Sequence, residues 1–389
     1  MKSLFPILIL LIATGLHCDS NSSNGDEPGS QTLEPTSLFI GTYTRDEGWV
    51  NGKADGIYSA SISEDGSVSL IGTAAEVINP SFVAVSPDRN NLYAVSELGR
   101  GNEPTGYIHA FTIEEDGSLT FIEKYPSNAK SPAHVSVDAT GSMVFASNYN
   151  GGVAVVYARN EDGSLEFRQQ LDHEGSGPHP NQNSSHPHMA KISPDNNFLF
   201  IPDLGSDKVW SYSIDQSSQT VSKTEQEFAA LEAGSGPRHM DFHPTLNIAY
   251  VMNELNSSVS VFSYNPDNGA LEELQVISTL PDGFSEWNST ADIHVHPNGN
   301  FLYGSNRGHN SIVSFNINST TGLLTELDHT STRGEFPRNF AILPNGDQLF
   351  VANQNTDDVY VFNIDGNTGA LSYSGESLDV PTPVCVVFY

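Results

Sequence analysis

Positive charge is what this 389-residue chain has least of. Sixteen Lys and Arg stand against 47 Asp and Glu, a formal net charge of −31. Nucleic acid and anionic membrane surfaces both need a basic footprint, so the balance argues against either as a partner. Cysteine is nearly absent too. Only Cys18 and Cys385 occur, so an intramolecular disulfide beyond residue 18 is excluded. After the N-terminus no stretch approaches the roughly 18 consecutive apolar residues of a membrane-spanning helix. Two chemical signatures are also missing. No Gly-x-Ser-x-Gly elbow suggests an acyl-enzyme, and no Asp-x-Asp-x-Asp-Gly loop suggests calcium.

What is present starts with a short apolar segment, "MKSLFPILILLIATGLHC". One Lys, an apolar run and small residues make the pattern of a secretory signal peptide over residues 1–18. Cys18 followed by a Ser/Asn/Gly-rich tether over 19–36 resembles a bacterial lipoprotein. His17 departs from that pattern, which normally has Gly, Ala or Ser there, and cleavage near Ala13–Gly15 is the alternative. The expectation is an exported protein: periplasmic, anchored to the outer membrane by a lipid on Cys18, or secreted. Membrane contact would come only through that lipid.

Residues 37–389 are organised by a repeat. "PSFVAVSPDRNNLYAVSE" from Pro80 returns, altered, from Pro132, Pro187, Pro237, Ala291 and Pro337, at spacings of roughly 46 to 55 residues. Each copy continues into two more apolar-alternating segments. The turns between them, such as "EDGSL", "DNGAL" and "NTGAL", carry tight-hairpin chemistry. This describes four-stranded propeller blades. Near the N-terminus "SLFIGTYT", "GIYSASIS" and "SVSLIGTA" read as second, third and fourth strands lacking a first, and the C-terminal "PVCVVFY" is a first strand alone. Together they complete a seventh blade and close the ring without a long free edge. The expected fold is all-β, a seven-bladed β-propeller.

In such a blade the start of the first strand and the end of the second lie at the same mouth of the central channel. The strand starts are Ser81, Ala133, His188, Arg238, Ala291, Arg338 and Val384. The strand ends are Thr42, Glu97, Asn148, Asp203, Asn253, Asn306 and Asn353, followed in two blades by Glu254 and Arg307. Three of the nine arginines, Arg238, Arg307 and Arg338, thus map to one rim beside His188. Clustered guanidinium groups offer bidentate recognition of carboxylate or phosphate. Glu254 among them would stay ionised, and His188, titrating near neutrality, would shuttle a proton.

A blander reading accompanies each residue. Arg238 and Arg338 could bind a neighbouring blade's carbonyls, Glu254 could serve as a salt-bridge partner, and the asparagines could close turns between blades. His134, His239, His294 and His296 read as satisfied core or groove residues. The loop "HEGSGPHPNQNSSHPHM" invites a zinc reading through His173, His179, His186 and His188, but Pro187 and the lack of a third ligand spacing disfavour it. It reads better as a loop over the mouth.

The segments "GPRHMDFHPTLNIAYVMNEL", "LYGSNRGHNSIVSF" and "PRNFAILPNGDQLFVANQNTDDVYVF" resemble the lactonase-type seven-bladed propellers. That family includes the propeller form of 6-phosphogluconolactonase and, more distantly, the fungal carboxymuconate lactonizing enzymes. The resemblance implies a carboxylic-ester hydrolase of carbohydrate metabolism, opening a sugar-acid lactone without metal or other cofactor. It assigns catalysis to His188, Arg238, Glu254 and Arg307. The repeat alignment adds Arg338, Asn253 and Asn306 as substrate-binding residues. The partner expected is a small lactone or anionic sugar acid, met by a monomer. An exported chain would rarely meet a phosphorylated hexonolactone, a cytosolic metabolite, so phosphorylation of the substrate stays open. The alternatives are a non-catalytic extracytoplasmic binding propeller and a muconate-type cycloisomerase.

Overall fold

The computed structural model describes residues 36–99 and 103–389. The signal-peptide segment and nearly all of the tether expected over 19–36 lie outside the described residues. Strands and turns alone build the described chain, in seven four-stranded antiparallel sheets. Blade 1 is the composite. Pro383–Phe388 forms its inner strand, then Thr36–Thr42, Ile57–Ile62 and Val68–Ala75 follow outward. Blades 2 to 7 begin at Val83, Lys130, Lys191, Pro237, Ser289 and Pro337, close to the six repeat copies.

The chain ends meet in register, with Leu38 opposite Phe388 and Gly41 opposite Cys385. That seam is covered by an apolar layer between blades 1 and 7, in which Leu38 and Ile40 pack with Phe350, Val359 and Val361, all buried. Closure therefore uses both backbone pairing and hydrophobic burial, and the ring keeps no exposed edge there. Polar latches join other blades. Tyr93, Tyr250 and Tyr303, each on a second strand, donate hydroxyl hydrogen bonds to Gly163, Gly322 and Gly369 in the next blade's outer hairpin. These turn glycines have φ near +83°, +73° and +73°, where a side chain would be strained. The buried hydroxyls are thus satisfied by carbonyls that the hairpins leave open.

One irregularity positions the channel mouth. Pairing of the two inner strands slips by one residue at Ala133, Arg238, Arg338 and Val384, and again by one where Ala291 and Asp292 together oppose Ser305. A bulged residue is unpaired, and the local kink re-aims its side chain. The strand-start position of the repeat is therefore a recurrent β-bulge, and its residues converge on the channel.

Candidate active site

Six of the seven strand-start residues, Ser81, Ala133, His188, Arg238, Arg338 and Val384, line one throat of about 10 Å³, with room for about one water. Above it opens a cavity of about 390 Å³, walled by Glu97, Tyr149, His188, Glu254, Arg307 and Arg338, with Trp49 and Phe336 at its sides. The strand starts of the mapped ring thus converge, except Ala291, whereas of the strand ends only Glu97 lines either space.

Arg238 is 2% exposed, an uncommon fate for a guanidinium. Its Nε lies 3.0 Å from Glu254 Oε2, without hydrogen-bond alignment, and its Nη1 donates to the carbonyl of Ala291 in blade 6 at 2.6 Å. Arg238 therefore ties two blades together and also faces the carboxylate. Arg307 Nη2 approaches the same Oε2 at 2.9 Å, and donates to Ser289 Oγ and to the Thr290 carbonyl. Burial opposes ionisation of Glu254, but Arg307, Arg238 and Arg338 outweigh it and hold its pKa below the ordinary value. Burial and the two neighbouring arginines push Arg238 down to about 9, which still leaves it charged at neutral pH.

Behind Arg238 stands a second layer. Its Nη1 is 3.3 Å from His239 Nε2, and His239 Nδ1 is 2.7 Å from Asp292 Oδ1. Asp292 also meets His294 Nε2 and accepts from Asn339 Nδ2. His239 and His294 are thus both held by Asp292, and His239 with Asp292 orients the arginine's fork.

Arg338 differs from its partners. Among the described residues it has no ion pair and no hydrogen bond. Its guanidinium lies 5.4 Å from the Tyr43 ring centroid and 5.3 Å from that of Trp49, and these two rings meet edge-to-face. Burial would lower its pKa, but Tyr43, Glu97 and Glu254 together raise it. Arg307 likewise lies over Phe336, at 5.2 Å. Phe336 and Ser131, both in the cavity wall, have φ near +65° and +56°. Such strain in non-glycine residues gathers at functional sites.

His188 departs from the sequence expectation. Burial first, then Arg238, His239, Arg338 and Arg307, hold its pKa well below 6.5, so it is neutral at physiological pH instead of titrating there. Among the described residues neither ring nitrogen has a hydrogen-bond partner, and Nδ1 is buried without one. His173 and His186 of the long loop are engaged elsewhere, with Tyr212 and the Tyr149 carbonyl, while Asn181 of that loop reaches the cavity.

Asn253 and Asn306, expected to bind substrate, are fully buried and line neither the throat nor the cavity. Asn253 Nδ2 donates to Ser258 and Ser260, and Asn306 Nδ2 donates to the Thr279 carbonyl while its Oδ1 accepts from Thr279 and Asn288. Their side chains hold turns and strand ends, as the blander reading had it.

Residues 37–388 match the sequence model of the lactonase seven-bladed β-propeller family. The chain belongs to that family. A 6-phosphogluconolactonase of Bacillus subtilis is 36% identical over 353 residues, 90% of this chain and 97% of its own length. One from Formosa agariphila is 33% identical, over 78% of this chain and 86% of its own. The solved periplasmic gluconolactonase of Pseudomonas aeruginosa superposes on this lactonase-family propeller with a TM-score of 0.84 and 33% identity, covering 91% of this chain and 99% of that one. At this similarity the lactonase-family fold is shared along the whole ring, the cavity-bearing blades included.

Proposed function

We propose that this chain hydrolyses a sugar-acid lactone, in the manner of the 6-phosphogluconolactonases, at the cavity above the channel throat. The observation that carries the reading is the excess of guanidinium there: three arginines against the pinned Glu254 and a second carboxyl, Glu97, in a chain of net charge −31. Such a site attracts an anionic substrate and stabilises negative charge as it develops.

In the reaction a water oxygen bonds to the lactone carbonyl carbon. The carbonyl oxygen then becomes an oxyanion, and collapse of the tetrahedral species breaks the ring C–O bond. Arg307 Nη1 and the fork of Arg338 have no protein hydrogen-bond partner among the described residues, so they are the donors free to meet an oxyanion or a substrate anion. Both arginine contacts to Glu254 fall on Oε2, which leaves Oε1 to orient water. Neutral His188 has a nitrogen lone pair available for the proton released on attack. Export is part of the proposal, supported by the apolar N-terminal segment and the periplasmic relative. It favours a lactone without phosphate.

Acid release from glucono-δ-lactone and its 6-phosphate, followed by pH-stat titration, tests the reading. Turnover of either lactone above the spontaneous rate is the expected result. Absence of turnover at high enzyme concentration, or full activity in both Arg238→Ala and Glu254→Ala, removes it.

A further inference from the structure

Among the described residues the cavity wall holds two carboxyls, of which Glu254 is paired with arginine and Glu97 is not. Glu97, at the end of the second strand of blade 2, is 7% exposed and borders both throat and cavity. Its Oε2 accepts two hydroxyl hydrogen bonds, from Tyr43 at 2.6 Å and from Ser81 at 2.5 Å. With both acceptor directions of Oε2 taken, a proton on this carboxyl sits on Oε1, which no described residue engages. No cation lies within ion-pair distance of it among the described residues. Burial lifts its pKa above the ordinary value against the opposing pull of Arg338.

Two carboxyls in one site, one pinned between arginines and the other drawn by burial toward its protonated form with Oε1 open, divide the proton-transfer roles. Resting on the lactonase reading, we propose that Glu97 is a second catalytic carboxyl, the general acid that protonates the ring oxygen as the lactone C–O bond breaks. The balance is simple. Water gives its oxygen to the acyl carbon and one proton to His188, and the Glu97 Oε1 proton goes to the departing alkoxide, which becomes the product hydroxyl. The imidazolium then returns its proton through solvent to Glu97. The product is the hydroxy acid, with no redox change.

The test is the pH profile of kcat on glucono-δ-lactone over the range in which the protein stays folded, corrected for spontaneous hydrolysis. Glu97→Gln should lower kcat by about 10²–10³-fold, leave KM within about twofold, and abolish the fall in rate on the alkaline side. Tyr43→Phe provides a second handle, because it removes a hydrogen bond that favours the carboxylate. It should move the alkaline limb to higher pH. If Glu97→Gln keeps the wild-type limb or most of the rate, the inference is overturned. The same holds if Tyr43→Phe leaves the limb unmoved, and that arm stands even if the Gln variant does not fold. A wild-type protein that opens no lactone would instead remove the lactonase reading itself.

Discussion

Arg238 and Glu254 face each other across a β-bulge. Pairing of the inner strands of blade 5 slips between Pro237 and His239, and the extra residue brings its Nε to 3.0 Å from the carboxylate that follows Asn253. Because Arg307 shares the same oxygen from blade 6, the three groups form one buried charge network linking two blades. Removing one member of such a network leaves an uncompensated buried charge, at about 3–5 kcal/mol. Glu254→Gln keeps shape and removes the charge. We expect a stability loss on the order of 3 kcal/mol, read by urea unfolding, and a kcat loss of about 10²-fold or more. Glu254→Gln with full activity and stability would contradict the network's role.

The asparagines that end the second strands make the opposite prediction. Asn306 is spent on the Thr279 carbonyl and hydroxyl and on Asn288. Asn306→Ala leaves those buried groups unpaired, costing about 1–3 kcal/mol. KM for the lactone should not change, because the side chain does not reach the cavity. A KM rise of more than about fivefold in well-folded Asn306→Ala, a factor near 1 kcal/mol of substrate binding, would restore it as a binding residue.

Much of this was legible in the repeat. Strand periodicity and hairpin turns identify the blades, and aligning the copies brings Arg238, Arg338 and His188 to one position of the repeat. The position after the second strand carries a charged group in two blades, Glu254 and Arg307. The same position holds Tyr43 in blade 1 and Tyr149 in blade 3. The alignment therefore contains the signal for both tyrosines, although a phenol at a strand end does not by itself distinguish packing from a cavity wall. Glu97 was mapped to the rim, but its character depends on Tyr43, 54 residues away. Trp49 and Phe336 reach the cavity from irregular segments that no period predicts. The asparagines misled because a buried amide and a ligand-facing one look identical in sequence.

Buried histidines set the acid limit of stability. Burial, the leading cause for both, pushes His173 and His239 down to about 4, and each is nearly inaccessible to water. Between about pH 6.5 and 4 the unfolded chain binds protons at these residues that the folded chain refuses. Stability therefore rises with pH through that window and is lost as pH falls through it, by on the order of 1–3 kcal/mol for each histidine. His173 lies outside the cavity, so His173→Gln isolates the effect. Its melting temperature should depend less on pH between 4 and 6.5 than that of the wild type. An unchanged slope would show that His173 is protonated in the folded state.

Arg338 carries the most discriminating prediction about substrate. Among the described residues it has no acidic partner within ion-pair reach, yet two aromatic rings hold its guanidinium beside the cavity. A fork oriented by ring faces keeps all its donors for a ligand, and Lys cannot reproduce that geometry. We expect Arg338→Met to raise KM for a carboxylate- or phosphate-bearing lactone by about 10- to 100-fold, the worth of a charge-assisted hydrogen bond. A neutral lactone should be affected much less, since it does not engage the fork. The ratio of kcat/KM for glucono-δ-lactone 6-phosphate over glucono-δ-lactone therefore reports what Arg338 reads. A ratio that collapses in the variant marks Arg338 as the anion receptor. An equal fall for both lactones would assign it to the oxyanion instead, because that charge develops on every lactone the site opens.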